Sequence, residues 1–266
     1  MTSEQRYWFD LTGYLHIKNA LSPEELSAAQ EAATRYVQSD PNDLPDGFAI
    51  EEKRHTHGFA FDKALERLAL HPTIWPAVKE ITRNRPRLTS GTLQVNIPGQ
   101  IDKAQRLHCA RDDYGWDAIR YDVRDGKVFC DHIVVFPYLT DVNPGDGGLL
   151  VVPGSHKSMF DRPPEMFNNG LIEDLNNLPD GVVNVTPKAG DIVIINELVT
   201  HGVLPWTPKD RNRMILVLRY QPQYKGGDFP DAIKERLSPE TQELIAKGSY
   251  KDHKSIVDED IVTLTI

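Results

Sequence analysis

Asn143-Pro144-Gly145-Asp146-Gly147-Gly148, followed by Val152-Pro153-Gly154-Ser155-His156-Lys157, is the stretch whose reading decides the fold. Two turn signals bracket the short apolar run Leu149 to Val152, and the glycines of Asp146-Gly147-Gly148 supply the positive φ that a hairpin connection requires. Working outward, Leu93, Val95 and Ile97 alternate with Gln94 and Asn96, and Lys127 to Leu139 alternates and is rich in Val, Ile, Phe and Tyr. Val182 to Val185, Asp191 to Ile195 and Met214 to Tyr220 read as further short strands. Toward the N-terminus the period changes. Ser22-Pro23-Glu24-Glu25 is a capping box with proline in the first turn, opening a helix striped by Leu26, Ala29, Ala33 and Val37. Helical spacing returns over Asp62 to Leu70 and from Pro72 through Ile81, and Ser238-Pro239-Glu240 opens a last helix. Phe9 to Ala20 reads as a short strand with its turn, and Asp40 to Gly47 as loop. Helices, then many short strands, then a helix imply an α+β, mainly β chain with helices packed outside a β sandwich or barrel. No repeat, low-complexity tract or linker divides it, so residues 1–266 are read as a single domain.

Composition narrows the function classes. Lys plus Arg is 30 against 39 Asp plus Glu, a formal charge of −9 that disfavours nucleic acid and anionic membranes as partners. No apolar run approaches the roughly 20 residues that span a bilayer. Met1 to Asp10 carries Glu4, Arg6 and Asp10, which is no secretory h-region. With Cys109 and Cys130 alone, a disulfide framework is not expected and a cytoplasmic location is the simplest home.

Chemistry concentrates at two histidines. His108 and His201 are far apart in the chain, yet each adjoins strand-like sequence that can aim a side chain inward. Imidazole suits Fe(II), Cu, Ni and Zn, and two imidazoles with one carboxylate make the facial triad of non-haem iron oxygenases. A single histidine is ordinarily just a satisfied core or surface residue.

The surrounding motifs shift that balance. Phe9 to Leu26, Asn143 to Lys157, and Thr200-His201-Gly202 with its downstream arginines resemble the phytanoyl-CoA dioxygenase family. The resemblance implies a double-stranded β-helix (jelly-roll) core, Fe(II), and 2-oxoglutarate as co-substrate with O2. Carried over by position, it makes His108 and His201 the iron histidines and Arg213 the arginine that grips the oxo acid, with Arg211 as fallback. A guanidinium fork can hold a carboxylate through two parallel hydrogen bonds, whereas an arginine before an apolar strand can also be a mere edge charge. Gln94 and Asn96 are candidate polar contacts to the same co-substrate.

One position departs from the family. Its first motif is His-x-Asp, and here His108-Cys109-Ala110 stands instead. A working oxygenase with an altered shell ranks first, with Glu197, or Asp112, Asp113 or Asp131, as a replacement carboxylate. Second ranks a halogenase whose open iron position takes chloride. Third is a non-catalytic jelly-roll binding protein that lost its iron. Two neutral ligands under-charge Fe(II), so an anion or the oxo acid must compensate.

Other residues carry milder expectations. Cys109 reads as a buried free thiol. In His55-Thr56-His57 a loop is favoured over a metal pair, with His57 a candidate substrate contact, while His132 reads as a hydrogen-bonded core histidine and His156 as structural. Trp116, Tyr114 and Trp206 are candidate pocket walls, although aromatics near turns as often pack a rim. Asp161 to Leu178 reads as an inserted loop at the barrel mouth. The expected activity is oxidation, most simply hydroxylation, of a C–H bond in a small-molecule substrate.

Overall fold

The chain opens on a helix rather than a strand. In the computed structural model, which describes residues 1–98, 105–115, 119–163, 178–248 and 260–265, Ser3–Thr12 forms α1, capped by a reciprocal box between Thr2 and Gln5. Gly13, at φ 82°, ends it, and only Tyr14–Ile17 (β1) is strand. The strand expected over Phe9 to Ala20 is corrected accordingly. The alternation around Tyr14 and His16 is real but short, and the Thr2 box upstream carries the helix. Pro23–Gln38 (α2) begins at the Ser22/Glu25 capping box and buries Ala29, Ala32, Ala33 and Tyr36.

After two short strands, Ile50–Glu51 (β2) and Arg54–His55 (β3), come Lys63–Glu66 (α3) with a 3-10 turn behind it, and Trp75–Ile81 (α4). The β region follows: Pro86–Asn96 (β4), Gln105–His108 (β5), the short helix Ala110–Tyr114 (α5), Tyr121–Arg124 (β6), Lys127–Cys130 (β7), Ile133–Pro137 (β8), Gly148–Val151 (β9), Val183–Asn184 (β10), Ile192–Asn196 (β11), His201–Leu204 (β12) and Arg213–Pro222 (β13). Asp231–Lys234 (α6) and Pro239–Ile245 (α7) close the described chain. The single alternating run of Lys127 to Leu139 is in fact two strands, broken at Asp131-His132; β7 pairs with β6 in a hairpin and β8 enters the main sheet.

Two sheets face each other. The larger has the order β1-β11-β8-β13-β4-β3-β2 and the smaller β10-β9-β12-β5, all antiparallel. Period-2 alternation sorts their residues. Leu93, Val95, Leu216, Leu218, Ile192, Ile194 and Val135 form one buried cluster with the helix residues Tyr36, Leu68, Trp75 and Ile81. Ile215, Val134, Val193 and Ile195 belong to a second, with Leu149 and Val151 of the smaller sheet. The large sheet therefore has a helix-covered outer face and an inner face turned to the small sheet. The Sequence α+β expectation and the jelly-roll core implied by resemblance agree with this arrangement. Among the described residues no helix is long and apolar enough to cross a membrane.

Gly147 locks the turn quoted at the outset. Its φ is +93°, and a Cβ there would lie 2.0 Å from the Pro205 carbonyl oxygen, whereas one at Gly145 (φ +95°) would meet nothing within 4 Å. Gly147→Ala is expected to cost about 3 kcal/mol or more, and Gly145→Ala about 1 kcal/mol from backbone strain alone. Urea midpoints of the two variants check this; equal losses would mean that the Pro205 contact does not matter.

Two buried histidines make stability depend on pH. Burial, the largest cause, takes His132 down to about 3 and His156 to about 4. Lys225 Nζ lies 2.7 Å from His132 Nε2, and Tyr121 meets the His156 ring edge-on at 4.6 Å between centroids. Both stay neutral in the folded chain but protonate near the ordinary pKa of about 6.5 when unfolded. Their contribution is thus complete above about pH 6.5 and drains away as pH falls toward 4. The expected loss is on the order of a few kcal/mol, read as a lower melting temperature at pH 4.5 than at pH 7 and partly removed by His156→Gln.

Candidate functional site

His108 ends β5 and His201 begins β12, and the register sets them directly opposite each other. Their ring centroids are 4.4 Å apart. His201 is also paired with Val151, whose side chain belongs to the inner cluster, so the imidazoles project into the space between the sheets. The His201 ring lies 2.7 Å from the Val199 carbonyl through Nδ1. That bond fixes Nδ1 as the protonated nitrogen and leaves Nε2 as a lone-pair donor, the arrangement of a metal-ligating histidine. Burial, followed by the neighbouring His108, lowers its pKa to about 4 and keeps the ring unprotonated at neutral pH.

Arg213 occupies the other end of the inner face. It opens β13 opposite Asn96 of β4 and is 2 % exposed. Its guanidinium has Asn96 Oδ1 at 3.5 Å and the Tyr138 ring centroid at 6.0 Å; Nε has no partner, and no carboxylate of the described residues pairs with it. The Tyr138 hydroxyl is buried beside it. A buried cation without a counter-ion costs several kcal/mol. Gly148 lies against the guanidinium: a Cβ there would make only ordinary contact with Arg213 Cζ, at 3.6 Å, and it is the φ of +85° that favours glycine. Gly148 and Val151 are three residues apart on β9, so the guanidinium end and the histidine end are separated by roughly 10 Å at about 3.3 Å per residue.

The remaining candidates divide. Gln94 lies on the inner face opposite Ile215, half-buried, next to Asn96. Arg211, the fallback, is spent: it pairs with Asp146 and Asp210 and stacks over Trp206 at 5.6 Å. Trp206 itself donates through Nε1 to the Arg211 carbonyl and is packed into the inner cluster. His57 is corrected. Its ring packs against Phe48 and Phe229, members of the outer, helix-side cluster, because the adjoining Gly58 and Phe59 seat against Leu93 and Gly91 on the outer face of β4. Trp116 lies outside the described residues, as does most of the Asp161 to Leu178 insertion. Cys109 and Cys130 are buried free thiols.

Among the described residues no carboxylate joins the histidines, and no three His, Cys, Asp or Glu side chains group as a metal site. The Glu197 carboxylate pairs with Arg219 on β13, which takes Glu197 away from the expected metal role; only its carbonyl reaches the histidine segment, accepting from Ala110 N at 2.8 Å. Asp112 caps Cys109 N and pairs with Arg162. The Asp131 carboxylate accepts from Arg120 N. Ala110 packs with Ile119 and Leu198 in a small apolar cluster. Composition hid the Arg219–Glu197 pair, because an arginine late in a strand reads as an edge charge until pairing shows which face it occupies.

Comparisons with known proteins bear on this geometry. The family model described as phytanoyl-CoA dioxygenase (PhyH) matches residues 9–212. An ectoine dioxygenase of Nocardia farcinica is 26% identical over 242 residues, covering 81% of this chain and 76% of that one. A probable phytanoyl-CoA dioxygenase of Caenorhabditis elegans is 23% identical, covering 76% and 70%. HygX from Streptomyces hygroscopicus, solved with nickel and 2-oxoglutarate bound, superimposes with a TM-score of 0.71 at 26% identity, covering 86% of this chain and 90% of that one. With the family model spanning most of its length, the chain belongs to the phytanoyl-CoA dioxygenase family of iron- and 2-oxoglutarate-dependent oxygenases.

Proposed function

We propose that the chain hydroxylates a C–H bond of a small-molecule substrate, with Fe(II) held by His108 and His201 and 2-oxoglutarate held by Arg213. The observation that carries this reading is a fully buried guanidinium with no carboxylate partner among the described residues, facing the same inter-sheet space as two close imidazoles. The donor set suits the group: neutral imidazole nitrogens suit Fe(II), and a guanidinium fork suits the far carboxylate of a keto-diacid. When bound, iron and 2-oxoglutarate supply the oxidising power, coupling O2 and the loss of CO2 as succinate forms to attack on the C–H bond.

The chain's own residues bind and orient. The Val199 carbonyl holds His201 with Nε2 free. Arg213, with the Tyr138 hydroxyl and Asn96 beside it, holds the distal carboxylate, and Gln94 extends that polar contact toward the histidines. Ile215, Val134 and Ile195 exclude water from the inner face. With the distal carboxylate matched to Arg213, the oxo acid's other carboxylate would offset part of the charge that Ala110 leaves uncompensated. A second reading, halogenation with chloride at the open position, is favoured by one observation: the side chain at position 110 is a methyl group packed among Ile119 and Leu198.

Succinate release with Fe(II), 2-oxoglutarate and O2, followed by mass analysis of product in chloride buffer, tests both. Succinate with an oxygenated product is the expected outcome, and a chlorinated product would favour the second reading. If neither succinate nor stabilisation by 2-oxoglutarate is seen, the oxygenase reading fails.

A further inference from the structure

The inner face of β4 is polar where a jelly-roll interior is ordinarily apolar. Ser90, Thr92, Gln94 and Asn96 occupy its four successive inward positions, opposite Arg219, Val217, Ile215 and Arg213. Asn96 belongs to the anion pocket at one end. Ser90 and Thr92 stand toward the other end, both half-buried, and neither side chain hydrogen-bonds to any described residue. Hydroxyls turned inward without a partner persist when they face a space that a polar molecule or water fills. Beside Ser90 lies the Arg219–Glu197 pair, the glutamate side chain 9% and the arginine side chain 42% exposed. Glu197 is tied to the histidine segment through the Ala110 N–H bond at 2.8 Å. Arg219 is six residues from Arg213 on one face of one strand, roughly 20 Å away, which separates this group from the anion pocket.

Resting on the iron and 2-oxoglutarate reading, we propose that Ser90, Thr92 and the Arg219–Glu197 pair form the substrate pocket, and that it takes a small hydroxyl-rich molecule rather than an acyl chain. Glu197 holds the guanidinium in place; Arg219 donates to substrate hydroxyl oxygens, while the Ser90 and Thr92 hydroxyls donate or accept as the ligand requires. An acyl chain entering the same space would strip water from these groups and return no hydrogen bonds, the kind of mismatch that a site built for hydroxyls rejects strongly.

The test is ligand-observed saturation-transfer NMR on the full chain with myo-inositol, glucosamine and octanoate, repeated on Arg219→Met and on the Ser90→Ala/Thr92→Val double variant. At least one hydroxyl-rich probe is expected to bind and octanoate not to; each variant weakens that binding by about tenfold or more. Arg219→Lys, which keeps the charge, is expected to recover part of it. Binding of octanoate, binding of neither class, or hydroxyl-probe binding unchanged in the correctly folded double variant would overturn the proposal. Stabilisation by 2-oxoglutarate, followed on the same samples, is expected to be unaffected by these substitutions. Its absence from the wild-type chain would count against the oxygenase reading and not against the NMR result.

Discussion

Arg213→Met is expected to stabilise the chain in the absence of 2-oxoglutarate and to abolish its response to that co-substrate. The two effects share one cause. Among the described residues the buried guanidinium has no carboxylate and its Nε no partner, so its charge is uncompensated there. Replacing such a group with an apolar side chain of similar length should add about 1–4 kcal/mol to the stability of the ligand-free chain. Losing two charge-assisted hydrogen bonds, at about 1.5–3 kcal/mol each, should weaken 2-oxoglutarate binding about a hundredfold or more. Melting curves with and without 2-oxoglutarate read both at once. If Arg213→Met melted lower than wild type and still responded to 2-oxoglutarate, the guanidinium would be structural and the co-substrate would sit elsewhere.

His201→Ala is expected to eliminate iron binding and to lower succinate release by at least about two orders of magnitude, since loss even of a residue that only supports a ligand costs about 10–100-fold. Among the described residues no carboxylate groups with the two histidines, so none of them offers a spare ligand to absorb the deletion. His108→Ala should behave the same way, because the register places the rings opposite each other and 4.4 Å apart. Glu197→Gln is the informative contrast: its carboxylate pairs with Arg219, so iron affinity should be retained. Isothermal titration with Fe(II) under anaerobic conditions distinguishes the cases. Iron lost in Glu197→Gln but retained in His201→Ala would reverse the assignment of ligands.

The contrast between Arg211 and Arg213 shows how far reading residues in order can go. Both follow His201 at plausible distances, and their identities are the same. Their surroundings differ completely: Arg211 meets Asp146 and Trp206 in a loop, while Arg213 is the first residue of a strand and turns inward beside Asn96. His57 gives a similar lesson. Its neighbours in the chain resemble a loop over a site, yet a two-residue strand and the seating of Gly58 against Leu93 put the ring on the helical side of the sheet. In a strand, one residue of register decides which face a side chain occupies, and register depends on a partner strand that can be a hundred residues away.

Period, caps and turn glycines are local properties, so the helix at Ser22, the strand at Leu93 and the turn at Gly147 were legible from the chain alone. So was the pairing of a metal-suited histidine couple with an arginine, once the motifs around them pointed to a family. Long-range pairing decided everything else: that the Asp131 break sends two strands to different sheets, that Glu197 pairs with Arg219, and that polar residues of β4 face inward. Such contacts arise only when distant strands bury their apolar faces together, and no window of sequence contains both partners.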